Sequence, residues 1–87
     1  MQERENIGYK IIASVAFPDF EFVLGEKESG SGTQYVTWRY SGNGYYYGHY
    51  ITSKVAAWLD LYERVQDEAI CRIAKYEDLL NQGNNIQ

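Results

Sequence analysis

Residues 34–51 read QYVTWRYSGNGYYYGHYI. Two runs rich in aromatic and β-branched residues flank Ser41-Gly42-Asn43-Gly44, and such runs favour strands. Asn43-Gly44 is a strong hairpin signal, because both central residues of a type I′ turn take positive φ. With those two as the loop, Tyr40 opposes Tyr47, Trp38 opposes His49 and Val36 opposes Ile51. That set is expected to face the core. The other face then presents Tyr35, Thr37, Arg39, Tyr46 and Tyr50. A loop of another length slips the register and exchanges the faces, since side chains alternate with period two.

Upstream, Gly8–Phe17 alternates with Tyr9, Ile11, Ala13, Val15 and Phe17 on one face. Pro18-Asp19 marks a turn, and FEFVLGE continues the alternation with Phe20, Phe22 and Leu24. A hairpin closed at Pro18-Asp19 sets Val15 against Phe22 and Ala13 against Leu24, so turn and hydrophobic pattern agree. EKESGSGT, residues 26–33, reads as a flexible polar connection. Residues 1–7 read as a disordered end.

Downstream, nothing between Ser53 and Gln82 is Gly or Pro. Thr52 or Ser53 supplies a cap, and Gly83 stands where a C-terminal cap belongs. Residues 52–82 are therefore expected to form one helix, with 83–87 as a tail. Val55, Leu59, Tyr62, Gln66, Ala69, Ile73, Tyr76 and Leu80 recur in steps of four and three, with Trp58 and Val65 widening the first half. The expected fold is α+β: a four-stranded antiparallel β-meander, residues 8–51, packed on one long C-terminal α-helix in a single domain. About 30 helical residues span roughly 45 Å, against about 27 Å for an eight-residue strand. The helix must overhang its sheet or break near residue 70. An overhang needs cover at Ala69, Ile73, Tyr76 and Leu80, so a homodimer through these residues is expected.

The chain has 87 residues, 45% hydrophobic and 23% charged, an ordinary composition for one folded domain. Its net charge of −4 argues against a general polyanion binder and leaves basic proteins as partners. One cysteine, Cys71, excludes an internal disulfide. The polar start MQERENIGYK and the lack of a long apolar run lead to the expectation of a cytoplasmic protein with no membrane contact.

Chemistry-bearing motifs are sparse. His49 is the single histidine, with no G-x-S-x-G nucleophile and no paired metal-ligand spacing around it. It reads as a packed or hydrogen-bonded strand residue. Cys71 lies opposite the apolar stripe as an exposed thiol, among charges that oppose one another's effect on its reactivity. Ser29-Gly30-Ser31-Gly32 matches no phosphate loop. No catalytic residue, cofactor or metal is expected. The nine tyrosines carry the informative pattern. One helix covers one sheet face, so Tyr35, Arg39, Tyr46 and Tyr50 are expected on the open face as a partner-binding patch. The alternative is stacking of those rings on single-stranded nucleic acid, although the ribonucleoprotein signature is absent.

Phe22-Val23-Leu24-Gly25, Tyr35-Val36-Thr37-Trp38 and Gly48-His49-Tyr50, followed by a helix, resemble a small uncharacterised domain of phage and conjugative-element proteins in gut Firmicutes. Arg72-Ile73-Ala74-Lys75-Tyr76-Glu77-Asp78 is similar to a helical tail of small phage proteins from the same bacteria. Tyr47 stands where that pattern usually has Trp or another residue. The resemblance implies an accessory protein of a mobile element that binds a host or element protein, and it leaves open an inhibitor of a host defence nuclease. It assigns no site residues.

Overall fold

The computed structural model of the chain describes residues 4–84, with side chains as far as Asn81. It is α+β: five antiparallel strands in sequential order followed by one helix. The strands are β1 Glu5–Asn6, β2 Tyr9–Ala16, β3 Glu21–Ser29, β4 Gly32–Ser41 and β5 Gly44–Ile51, and the helix is α1 Lys54–Asn84. The sheet has five strands rather than the expected four. The extra strand arises within residues expected to be disordered. Ile7 and Gly8 both take positive φ, the geometry of a tight two-residue hairpin, and fold Glu5–Asn6 back on β2. The Ile11 amide donates to the Arg4 carbonyl at 2.9 Å, and the Arg4 guanidinium lies 5.0 Å from the Tyr40 ring centre. Residues 1–3 and 85–87, part of the expected end and tail, lie outside the described residues.

The β2–β3 register is the expected one, with Val15 opposite Phe22 and Ala13 opposite Leu24. An extra residue, Ile12, bulges out of β2. It turns Tyr9 and Ile11 to the face opposite Ala13 and Phe17, so the expected single face of β2 is divided between two clusters. Residues 26–33 are not a flexible connection. Pairs from Glu26–Tyr35 to Ser29–Gly32 extend both strands to a two-residue turn at Gly30-Ser31.

The β4–β5 hairpin closes one residue earlier than expected. Ser41 pairs with Gly44 around Gly42-Asn43, with Gly42 at φ 61°. Tyr40 therefore opposes Tyr45, Arg39 opposes Tyr46, Thr37 opposes His49 and Val36 opposes Tyr50. Moving the loop by one residue shifts each β5 partner near the turn by two and leaves the alternation unchanged, so the faces of β4 are set by β3, where Phe22 opposes Arg39 and Leu24 opposes Thr37. Tyr35 and Thr37 are buried beneath α1, while Val36, Trp38 and Tyr40 turn to the other side.

Helix α1 starts at an N-cap, with the Ala56 amide donating to Ser53 Oγ at 3.2 Å. It continues through Gly83 rather than stopping before it. It seats Ala57 and Leu61 on Phe20, Phe22, Leu24 and Tyr35, with Trp58 and Val65 alongside. Complete burial of Leu24 and Leu61 stabilises by about 1.5–3 kcal/mol each. This docking face is not the stripe expected from the sequence, since Val55, Leu59 and Tyr62 are exposed. The last anchor is Arg72, which donates to Asp19 Oδ1 at 2.6 Å and Glu68 Oε2 at 2.8 Å. From Ile73 to Asn81 every residue is exposed, and the molecule measures 66 × 26 × 21 Å. The helix overhangs its sheet unbroken.

The face away from α1 buries a second cluster without a second layer. Val23 and Val36 are fully buried and Trp38 is 3% exposed. Edge-to-face neighbours enclose the indole: Tyr9 at 5.5 Å, Tyr45 at 5.3 Å and Tyr50 at 6.3 Å between ring centres. Gly25 admits these rings, because a Cβ there would lie 3.0 Å from Tyr9 Cβ and 3.3 Å from Trp38 Cζ3.

Candidate functional site

The most constrained surface is the bulge in β5, the outer strand. Tyr47 and Gly48 together oppose Trp38. Gly48 allows the indole to lie across the strand, since a Cβ there would be 2.8 Å from Trp38 Nε1. Tyr47 holds φ 57° at the bulge, a position where glycine is favoured. For a bulky residue that conformation costs about 1–2 kcal/mol. Tyr47 is nevertheless 73% exposed. Tyr46 precedes it at 48% exposure, with ring centres 6.4 Å apart, and Tyr50, 62% exposed, lies farther along the strand on the Trp38 side.

A polar chain running from the sheet into α1 holds the bulge. Arg64 donates to the Tyr47 carbonyl, and its Nη2 also donates to His49 Nε2 at 3.0 Å. His49 Nδ1 donates to Asp60 at 2.9 Å, and Thr37, fully buried, donates to the same carboxylate. Both imidazole contacts are satisfied with the proton on Nδ1 and the Nε2 lone pair accepting from Arg64. Burial pulls the Arg64 guanidinium below its ordinary pKa, and the Asp60 charge partly offsets that. Its Nη1 finds no hydrogen-bond acceptor among the described residues, and the guanidinium carbon lies 5.7 Å from the Phe22 ring centre.

Beside the bulge, a groove of about 350 Å³ runs between β5 and α1, bordered by Phe22, Tyr47, His49 and Cys71. The Asp60–His49 pair has the look of a catalytic dyad, but both imidazole nitrogens are engaged, Nε2 by a cation. No imidazole lone pair is left free to activate the Cys71 thiol. His49 is a hydrogen-bonded strand residue, as expected, and Cys71 is exposed. No group of three or more His, Cys, Asp or Glu among the described residues could hold a metal ion. No helix among them is long and apolar enough to cross a membrane.

The four residues expected to form one open patch are divided. Tyr35 is 7% exposed under α1, which removes it from any surface. Arg39 is half-buried on the helix side, its guanidinium carbon 3.9 Å from the Phe20 ring centre. Tyr46 opposes Arg39 and shares its side, and Tyr50 joins Trp38 on the other. Sequence reasoning passed over Tyr47 because it placed that ring in the core. Its position in YYYG, before a glycine in a strand, was the available sign of a bulge. Ala69 is half-buried, and Ile73, Tyr76 and Leu80 are exposed on one helix side.

Comparison of the chain with protein-family models, with curated proteins and with solved structures finds no match.

Proposed function

We propose that the chain is a non-enzymatic protein-binding accessory module of a mobile element, acting in the cytoplasm on a host or element protein. Its contact surface is the tyrosine edge of β5. The observation that carries this reading is Tyr47: an aromatic residue held 73% exposed on a backbone conformation that disfavours it, and secured by the Arg64 donor to its carbonyl. Folding alone gives no reason to present a large ring in this way, whereas strained positions concentrate where recognition occurs. Tyrosine supplies contact area at low entropic cost and is enriched among interface hot spots. Tyr46 and Tyr50 extend the edge, and the net charge of −4 suits a basic partner. The resemblance carried by Phe22–Gly25 and Gly48–Tyr50 supports the mobile-element setting.

The test is affinity capture from host lysate treated with nuclease, using wild-type protein and the Tyr47→Gly variant. A protein retained by the wild type and lost with Tyr47→Gly supports the reading. Capture unchanged by the substitution removes Tyr47 from the contact. Recovery that disappears with nuclease replaces a protein partner with a nucleic acid.

A further inference from the structure

Helix α1 carries two apolar sides, and its sheet uses one. Ala57, Leu61 and Val65 face the sheet. At about 100° per residue, the row Val55, Leu59, Tyr62, Gln66, Ala69, Ile73, Tyr76, Leu80 lies roughly 120° around the helix from them. Its spacing alternates four and three without a break, which is the heptad seam of a coiled coil. Leu59, Gln66, Ile73 and Leu80 take the a positions, and Val55, Tyr62, Ala69 and Tyr76 the d positions. Ala69 is half-buried and the other seven are exposed. Monomeric proteins rarely leave so long an apolar row open to water.

We infer that this seam pairs with the same seam of a second copy of the chain, parallel and in register. Two observations select that arrangement. Gln66 is the one polar residue in the row. In a parallel in-register pair it faces Gln66 of the other copy, and the two amides can hydrogen-bond, as polar a-position residues do when they set register. In an antiparallel pair overlapping along the whole row, Gln66 faces Ala69 and its amide is left without a partner. The second observation is the charge beside the seam. Arg72 and Glu77 occupy g and e positions, which lie next to each other across a parallel pair. An antiparallel pair centred between Ala69 and Ile73 instead sets Arg72 against Arg72 and Glu63 against Glu77. Arg72 is one-third exposed, so its edge remains reachable beyond its bonds to Asp19 and Glu68. The sheets sit on the outer sides of such a pair and leave the tyrosine edge of β5 open. This inference does not depend on that edge binding a partner.

Light scattering on the purified full chain, combined with disulfide trapping, tests the inference. The expected mass is that of two chains, and Ile73→Asp should halve it. Ile73 makes no core contact, so the variant should keep its circular dichroism spectrum. Leu59→Cys in a Cys71→Ser background should form a disulfide-linked dimer under mild oxidation, because position 59 meets itself only in the parallel register. This second variant preserves the test if Ile73→Asp does not fold. A wild-type mass of one chain, or a dimer whose Leu59→Cys variant does not cross-link, overturns the inference.

Discussion

Arg64 of the helix donates to the backbone carbonyl of Tyr47, binding α1 to the bulge in the outer strand. The same guanidinium donates to His49, which donates to Asp60 one helical turn before Arg64. The polar chain between sheet and helix therefore acts on one backbone segment. It offsets the strain at φ 57° and fixes the direction of an exposed ring.

Replacing Arg64 should loosen the bulge. Arg64→Ala removes a charged donor from two acceptors and leaves Asp60 less compensated. A loss of about 1.5–3 kcal/mol is expected in urea unfolding. Arg64→Lys should recover only part of this, because an ammonium lacks the planar fork that reaches the Tyr47 carbonyl and His49 together. Full recovery with lysine would mean that charge rather than geometry holds the bulge.

Tyr47→Gly separates folding from recognition. Glycine relieves about 1–2 kcal/mol of left-handed strain and loses about 0.5–1 kcal/mol through extra freedom in the unfolded chain. Stability should remain within about 1 kcal/mol of wild type by thermal melting while partner capture fails. A large loss of stability would show that the ring packs rather than presents.

Gly25→Ala should cost about 1–3 kcal/mol by overpacking. The added methyl meets Tyr9, Val36 and Trp38 at 3.0–3.3 Å in a buried position. Near-ultraviolet circular dichroism should change as the ring cluster shifts. An unaltered spectrum with unaltered stability would contradict close packing on that face.

The Arg72 bond to Asp19 holds the Asp19 carboxyl below its ordinary value of 3.8. A carboxyl depressed in the folded state contributes stability above its unfolded pKa, and the contribution disappears as pH falls through the folded pKa. The linkage should be fully present at neutral pH and lost progressively below about pH 4. Carbon-detected NMR titration of Asp19 should give a midpoint below that of an Asp model peptide, and Arg72→Ala should bring it back. A midpoint at the ordinary value in the wild type would remove the linkage.

Much of the architecture was legible in the chain. Pro18-Asp19 and the alternation on either side of it lead to the Val15–Phe22 and Ala13–Leu24 pairs, because turn length and hydrophobic pattern both require one register. Residues free of Gly and Pro after Ser53 specify a helix that outruns its sheet, since helical rise and strand length are fixed by covalent geometry. The row from Val55 to Leu80 was equally visible, but the sheet took the side carrying Ala57 and Leu61 instead of that row.

Tertiary structure decided the rest. Both sides of β4 and β5 carry rings, so their pattern accepted either face, and pairing with β3, which sets Thr37 against Leu24 and Arg39 against Phe22, chose the side that α1 covers. Beneath the helix, Phe20 and, from β3, Phe22 and Leu24 meet Tyr35 of β4, Ala57 and Leu61, which takes Tyr35 out of any binding surface. Trp38 then turned outward and recruited Tyr9, Tyr45 and Tyr50 as its cover. Periodicity records that one face differs from the other. Which face the helix takes, and where a bulge reverses the alternation, depends on packing between residues far apart in the chain, and that is why Tyr47 emerged as the exposed ring only in the folded molecule.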